Sequence, residues 1–187
     1  MFERGYKTWC ETYATDIRKE LGVEAHGPLD PHLLATHLRI RVITPHDVPG
    51  ITPAALAVLI RNDGKTPSCW SAVTLVVADK VIVILNSSHS PARQASDLMH
   101  ELAHRIRGHE THEMELSAEG MMFIASYDKV QEEEADWLAG CLLLPRAALV
   151  HIKKKRLDVE DAATTYGVSK AMVAYRLAMT GVNRQFA

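Results

Sequence analysis

Cysteine is scarce in this chain, and its placement excludes much. Cys10, Cys69 and Cys141 are odd in number, far apart and never form C-x-x-C, which points to reduced thiols in a cytosol rather than a disulfide framework. Cys141 falls in an apolar helical stretch and reads as a small core residue. A strong charge of either sign is also missing. The formal net charge of −2 gives no global drive toward nucleic acid or an anionic membrane. No hydrophobic run precedes Glu3 and Arg4, so no signal peptide is expected. No apolar stretch approaches the roughly 20 residues that span a bilayer. Repeats and low-complexity tracts are absent as well. What remains is an ordinary globular composition, 47% hydrophobic over 187 residues, enough to bury a sizeable core in one domain.

Local signals divide the chain into elements. Glu3 to Leu21 reads as a helix ended by Gly22, with Tyr6, Trp9 and Tyr13 at helical spacing as a packing stripe. Asp30-Pro31 opens a second helix to about Leu38, and Arg39 to Thr44 is a short strand. Thr52-Pro53 caps a short helix through Ile60, although this apolar run would also suit a strand. Asn62 to Pro67 is a loop by turn chemistry. Ala72 to Val77 and Val81 to Leu85 are β-branched runs that form a hairpin across Ala78-Asp79-Lys80. Ser90-Pro91 begins a helix that runs without proline or glycine to Arg107, before Gly108.

That last helix carries His100-Glu101-Leu102-Ala103-His104. Two histidines four apart differ by about 40° around the axis, so both rings leave one face. This suits two ligands of a tetrahedral zinc ion, with Glu101 placed to take a proton from a water in an open position. H-E-x-x-H on a helix is a metallopeptidase signature. A catalytic zinc needs a third ligand. The extension H-E-x-x-H-x-x-G-x-x-H fails in register, since its glycine and third histidine positions hold Arg107 and Glu110. His109 and His112 stay open as ligands, although a polar loop suits them better. A second helix, Gln131 to Pro145, is acidic at its start and apolar afterwards. Glu132 on it would complete a His2Glu site. Asp136, four residues on, would then reach the ring N–H of a ligand histidine and fix its tautomer. Glu133 and Glu134 read as a solvated helix start favoured by the dipole.

The two motifs together resemble those of the ImmA/IrrE metallopeptidases. The family's second motif runs roughly E-x-x-A-N-x-F-A-x-x-L-L-M-P, against Glu132 to Pro145 here. Asp136 stands for the usual Asn, Leu138 for Phe and Leu144 for Met. Upstream, Pro28 to Ala35 and Ile40 to Val42 are similar to the family's opening helix and strand; downstream, Tyr166 to Ser169 and Tyr175 to Leu177 look like its last helices. Most of 28–181 is covered. The resemblance implies an α+β fold. This would be a mostly helical, zincin-like minimal metalloprotease domain with a small antiparallel sheet and C-terminal helix-turn-helix-like helices. One domain, 1–187, is expected, with an N-terminal helix in 1–27, a zinc-binding core in 28–145 and a helical subregion in 146–187. It implies one zinc ion per chain on His100, His104 and Glu132, with Glu101 as catalytic base and Asp136 behind the ligands. It implies a cytoplasmic endopeptidase whose substrate is a helix-turn-helix repressor, cleaved to switch on phage, mobile-element or stress genes.

Three further expectations concern the surroundings. Val81 to Asn86 is the candidate edge strand for an extended substrate. Residues 108–129, polar and then mixed, would rim the cleft, with Tyr127, His109 and His112 as candidates for stabilising an oxyanion. At the C-terminus, Ala163, Gly167 and Val173 match helix-turn-helix spacing. A DNA-reading role would turn Ser169, Lys170 and Arg176 to the major groove. The helix is weakly basic, so packing is the expected role, and neither DNA nor a membrane is an expected partner. The basic run Lys153 to Arg156 suits a solvated helix end. The competing reading is a non-catalytic, zinc-containing regulator that binds a repressor or DNA. Glu101 argues against it, because a purely structural site has no use for a base.

Overall fold

The computed structural model describes residues 2–61, 70–77, 80–109, 114–116, 122–124 and 128–186. The chain opens with α1 (Tyr6–Glu20) and α2 (Pro31–His37), the latter capped where the Asp30 carboxylate accepts from the His32 amide at 2.8 Å. β1 (Arg41–Ile43) follows. The ambiguous apolar run resolves as a helix, α3 (Pro53–Leu59): the Thr52 side chain caps it, and proline fits its first turn, where the missing N–H costs nothing.

β2 (Ala72–Val77) and β3 (Lys80–Leu85) form the expected antiparallel hairpin, and β1 adds to β3 in parallel. The sheet is therefore mixed, in the order β1-β3-β2. This corrects the choice of edge strand. The near-continuous apolar run of β3 suits a strand paired on both edges, and Val81, Val83 and Leu85 alternate into the core. Among the described residues the outer edge near the next helix belongs to β2.

That helix is α4 (Pro91–Arg107), ended by Gly108 at φ 67°, a left-handed turn that glycine makes without a Cβ clash. Two short strands, β4 (Met114–Leu116) and β5 (Met122–Ile124), pair antiparallel as a second sheet in the segment expected to be a rim. α5 (Lys129–Leu143) begins behind the Asp128 cap. The chain ends with α6 (Arg146–Lys155), α7 (Val159–Tyr166), α8 (Lys170–Met179) and α9 (Val182–Gln185). The basic run forms the last turn and cap of α6.

α4 and α5 make the centre. Leu98, Met99, Leu102 and Ala103 from one, and Ala135, Leu138 and Leu142 from the other, are fully buried. Each such leucine contributes about 1.5–3 kcal/mol of transfer free energy. Cys10 and Ala14 of α1 and Cys141 of α5 are also fully buried, and both thiols are free; Cys69 lies outside the described residues.

The C-terminal helices close over the end of α5. Arg176 of α8 is fully buried: its Nε donates to the Leu144 carbonyl at 3.1 Å and its NH2 to Glu11 at 2.7 Å. Arg18 of α1 donates from NH2 to the Leu142 carbonyl at 2.6 Å. The physical reason is the orphaned carbonyls at a helix C-terminus, which need donors when the end is buried. Arg176 therefore cannot turn to a DNA groove. Val173 and Leu177 pack inward with it. Among the described residues no single helix is long and apolar enough to cross a membrane.

Candidate metal centre

His100 and His104 leave α4 on the same face, one turn apart, with their Nε2 atoms 2.9 Å apart and the rings nearly edge to face. Glu132 meets them from the first turn of α5, where the helix dipole favours a carboxylate. Its Oε2 lies 3.2 Å from His100 Nε2 and its Oε1 lies 3.4 Å from His104 Nε2. All three groups offer a donor atom within 4.8 Å of the others.

The outer side of each ring decides what the inner nitrogen can do. His100 Nδ1 lies 2.8 Å from Asp136 Oδ1, one turn beyond Glu132 on α5. A carboxylate only accepts, so Nδ1 donates to it and Nε2 is turned toward the other ligand atoms. His104 Nδ1 faces His109 at 3.0 Å. Two imidazole nitrogens and a carboxylate converge here at 2.9–3.4 Å, a set of ligand atoms that suits a cation. Zinc bonds of about 2.0–2.2 Å in a tetrahedron put donors roughly 3.3–3.6 Å apart, so the donor set fits zinc in type and needs only a slight opening, largest between the two rings. The electrostatics agree. Burial lowers the proton affinity of His100, but the hydrogen bond and charge of Asp136, with Glu101 and Glu132 nearby, outweigh it and hold its pKa above the ordinary histidine value. The pocket attracts positive charge.

Glu101, next along α4, is held from the sheet: the Thr74 hydroxyl of β2 donates a short hydrogen bond to its Oε2. The edge strand and the acid–base candidate are thus joined by one side-chain contact.

The structure brings together four residues singled out from the sequence around the potential metal position: His100, His104, Glu132 and Asp136, with Glu101 beside them. His109 does not join the donor group. Gly108 turns the chain so that the His109 amide bonds the His104 carbonyl at 3.1 Å. The ring then tucks behind His104, with a side chain only 7% exposed, neither ligand nor rim. His112 and Tyr127 lie outside the described residues. Glu133 is solvated and pairs with Lys129, as expected. Glu134 is not: it is 6% exposed and takes two hydrogen bonds from Arg107, at 3.0 and 2.7 Å. Its burial had a signal, since Glu134, Leu138 and Cys141 form an i, i+4, i+7 stripe on α5. Thr74 had none, because its contact crosses from sheet to helix.

Comparison with known proteins agrees with this fold. The family profile of the IrrE N-terminal-like domain, peptidase M78, matches residues 64–178. No curated protein sequence matches. Among solved structures the chain resembles a Mycobacterium tuberculosis transcriptional regulator at 18% identity and a TM-score of 0.54. The match covers 91% of this chain and 46% of that one, so this chain spans about half that protein's length. At this identity the likeness concerns the fold.

Proposed function

We propose that this chain, which belongs to the peptidase M78 family of IrrE N-terminal-like domains, is a zinc-dependent endopeptidase acting on a partner protein. The observation that carries the reading is the convergence of His100, His104 and Glu132 with Glu101 at their side. These three residues would hold the metal, and Asp136 would orient His100. When bound, zinc would polarise a peptide carbonyl and bring the pKa of a water to about 7.

The chain's own groups supply the rest. Glu101 takes a proton from the attacking water at its carboxylate and passes it to the nitrogen of the leaving amine, so one carboxylate serves as base and then acid. Thr74 fixes the direction of that carboxylate. The outer edge of β2 offers backbone donors and acceptors to an extended substrate, and strand addition there would lay the scissile bond beside Glu101.

The substrate class rests on the family: a helix-turn-helix repressor in the cytoplasm, whose cleavage would derepress phage, mobile-element or stress genes. The test is cleavage of the helix-turn-helix repressor encoded nearest this chain's gene, followed by mass spectrometry of the fragments. One cut is expected, absent with a chelator and absent in Glu101→Gln. A repressor bound tightly but left intact by the zinc-loaded wild type would favour the non-catalytic regulator.

A further inference from the structure

We infer that His109, anchored by Glu134 and Arg107, is a positioning residue for His104, and that α1 belongs to the support of the site. The inference rests on the metal-site reading above. The two ligand histidines differ in what stands behind them. His100 has a carboxylate directly at its Nδ1, from Asp136. His104 has His109 there, Nδ1 to Nδ1 at 3.0 Å, and the carboxylate lies one ring further out: His109 Nε2 is 3.3 Å from Glu134 Oε2.

The hydrogen positions in this row follow from each other. Glu134 has no hydrogen to give, so His109 donates from Nε2. Arg107 donates to the same Oε2 from Nε and Nη2, so the carboxylate is held in place behind His109. With Nε2 of His109 given to Glu134, its Nδ1 is the atom that faces His104 as acceptor. His104 must donate its own Nδ1–H, which leaves Nε2 as the metal-binding nitrogen. The side chains of His109 and Glu134 are 7% and 8% exposed, so water does not compete for these bonds. Such partners set the tautomer and ring angle of a metal-binding histidine.

α1 closes the row from outside. The Tyr6 hydroxyl donates to the Glu134 carbonyl at 2.6 Å. The Arg107 guanidinium sits 5.0 Å from the Tyr6 ring and 5.1 Å from the Trp9 ring, within cation–π range. Neither aromatic residue lies within the span matched by the family profile.

The test compares zinc affinity, by chelator competition on the full chain, for the wild type, His109→Leu and His109→Gln. A Gln amide carries an acceptor and a donor that replace the two ring nitrogens. Zinc affinity is expected to fall roughly 10–100-fold in His109→Leu and to recover in His109→Gln. Imidazole ¹⁵N spectra of the zinc-loaded wild type are expected to show His104 protonated at Nδ1 and metal-bound at Nε2. Equal affinity in His109→Leu, or a Gln variant as weak as the Leu variant, would overturn the positioning role while leaving the metal site standing. If His109→Leu does not fold, the spectra decide, and metal on His104 Nδ1 overturns it. A wild type that takes no zinc would instead bring down the peptidase reading itself.

Discussion

Arg176 and Arg18 are fully buried, and they end on acceptors: the carbonyls of Leu144 and Leu142 and the carboxylate of Glu11. His100, His104 and Glu132 are each about one-fifth exposed, and they turn metal-ligating atoms toward one another. Both regions place polar groups in the same helical core, on opposite ends of α5. One arrangement sets donors against acceptors within the chain, with Arg176 Nη1 the exception. The other gathers three ligand atoms within 4.8 Å of one another, a set that suits a cation. Polar burial alone therefore does not mark a site in this molecule; the kind of groups that converge does.

The largest effects should come from breaking the second arrangement. His104→Ala or Glu132→Ala should abolish tight zinc binding, read by metal content after gel filtration, and peptide cleavage with it. Binding should weaken in acid, because the metal displaces protons from its ligands. Full zinc occupancy in Glu132→Ala would remove it from the ligand set. Glu101→Gln should keep zinc and the fold but lose about 10²–10⁴-fold in cleavage rate. Unchanged cleavage would mean that another group moves the proton.

How far was this comparison visible in the sequence? The elements were: nearly every helix has a proline, aspartate or serine at its start, and these signals act within a few residues. The four residues around the metal position were visible too: helix geometry puts each i, i+4 pair on one face, and the family resemblance singled out Glu132 among three glutamates. Strand order was not visible. Whether β2 or β3 lies at the edge depends on where β1, some thirty residues earlier, chooses to pair. The support behind His104 was hidden for the same reason: Glu134 reads as one of three solvated glutamates until Arg107 and Tyr6 are brought to it from other elements. Packing of the C-terminal helices was the expected role, but the place of Arg176 in it was hidden: only the buried end of α5 shows that a donor is needed there.

The arginine arrangement should resist less than the core around it when one partner goes. Glu11→Ala would strand the buried guanidinium of Arg176 without its carboxylate; because Glu11 is itself about one-quarter exposed, the cost should fall below the roughly 3–5 kcal/mol of a fully buried pair. Val173→Asp, which puts an unpaired charge at a fully buried position of α8, should be comparably severe. Urea unfolding measures both. If either variant retained wild-type stability, the C-terminal pair would not be stapled to the core as described.

The smallest effect is expected at Lys170, on the exposed side of the same helix. It pairs with Glu160 of α7, and both side chains are more than half exposed. Solvent screens such a pair, so Lys170→Ala should change stability by no more than about 0.5 kcal/mol. The same variant tests for nucleic acid. With Arg176 inside and the Ser169 hydroxyl accepting from the Met172 amide at 3.1 Å as the α8 cap, Lys170 is the remaining basic member of the expected DNA-reading set and faces solvent. One lysine supplies a shallow salt dependence, since each phosphate contact adds about one unit to the slope of log affinity against log salt. Duplex affinity that falls steeply with salt and collapses in Lys170→Ala would show that this face reads DNA after all.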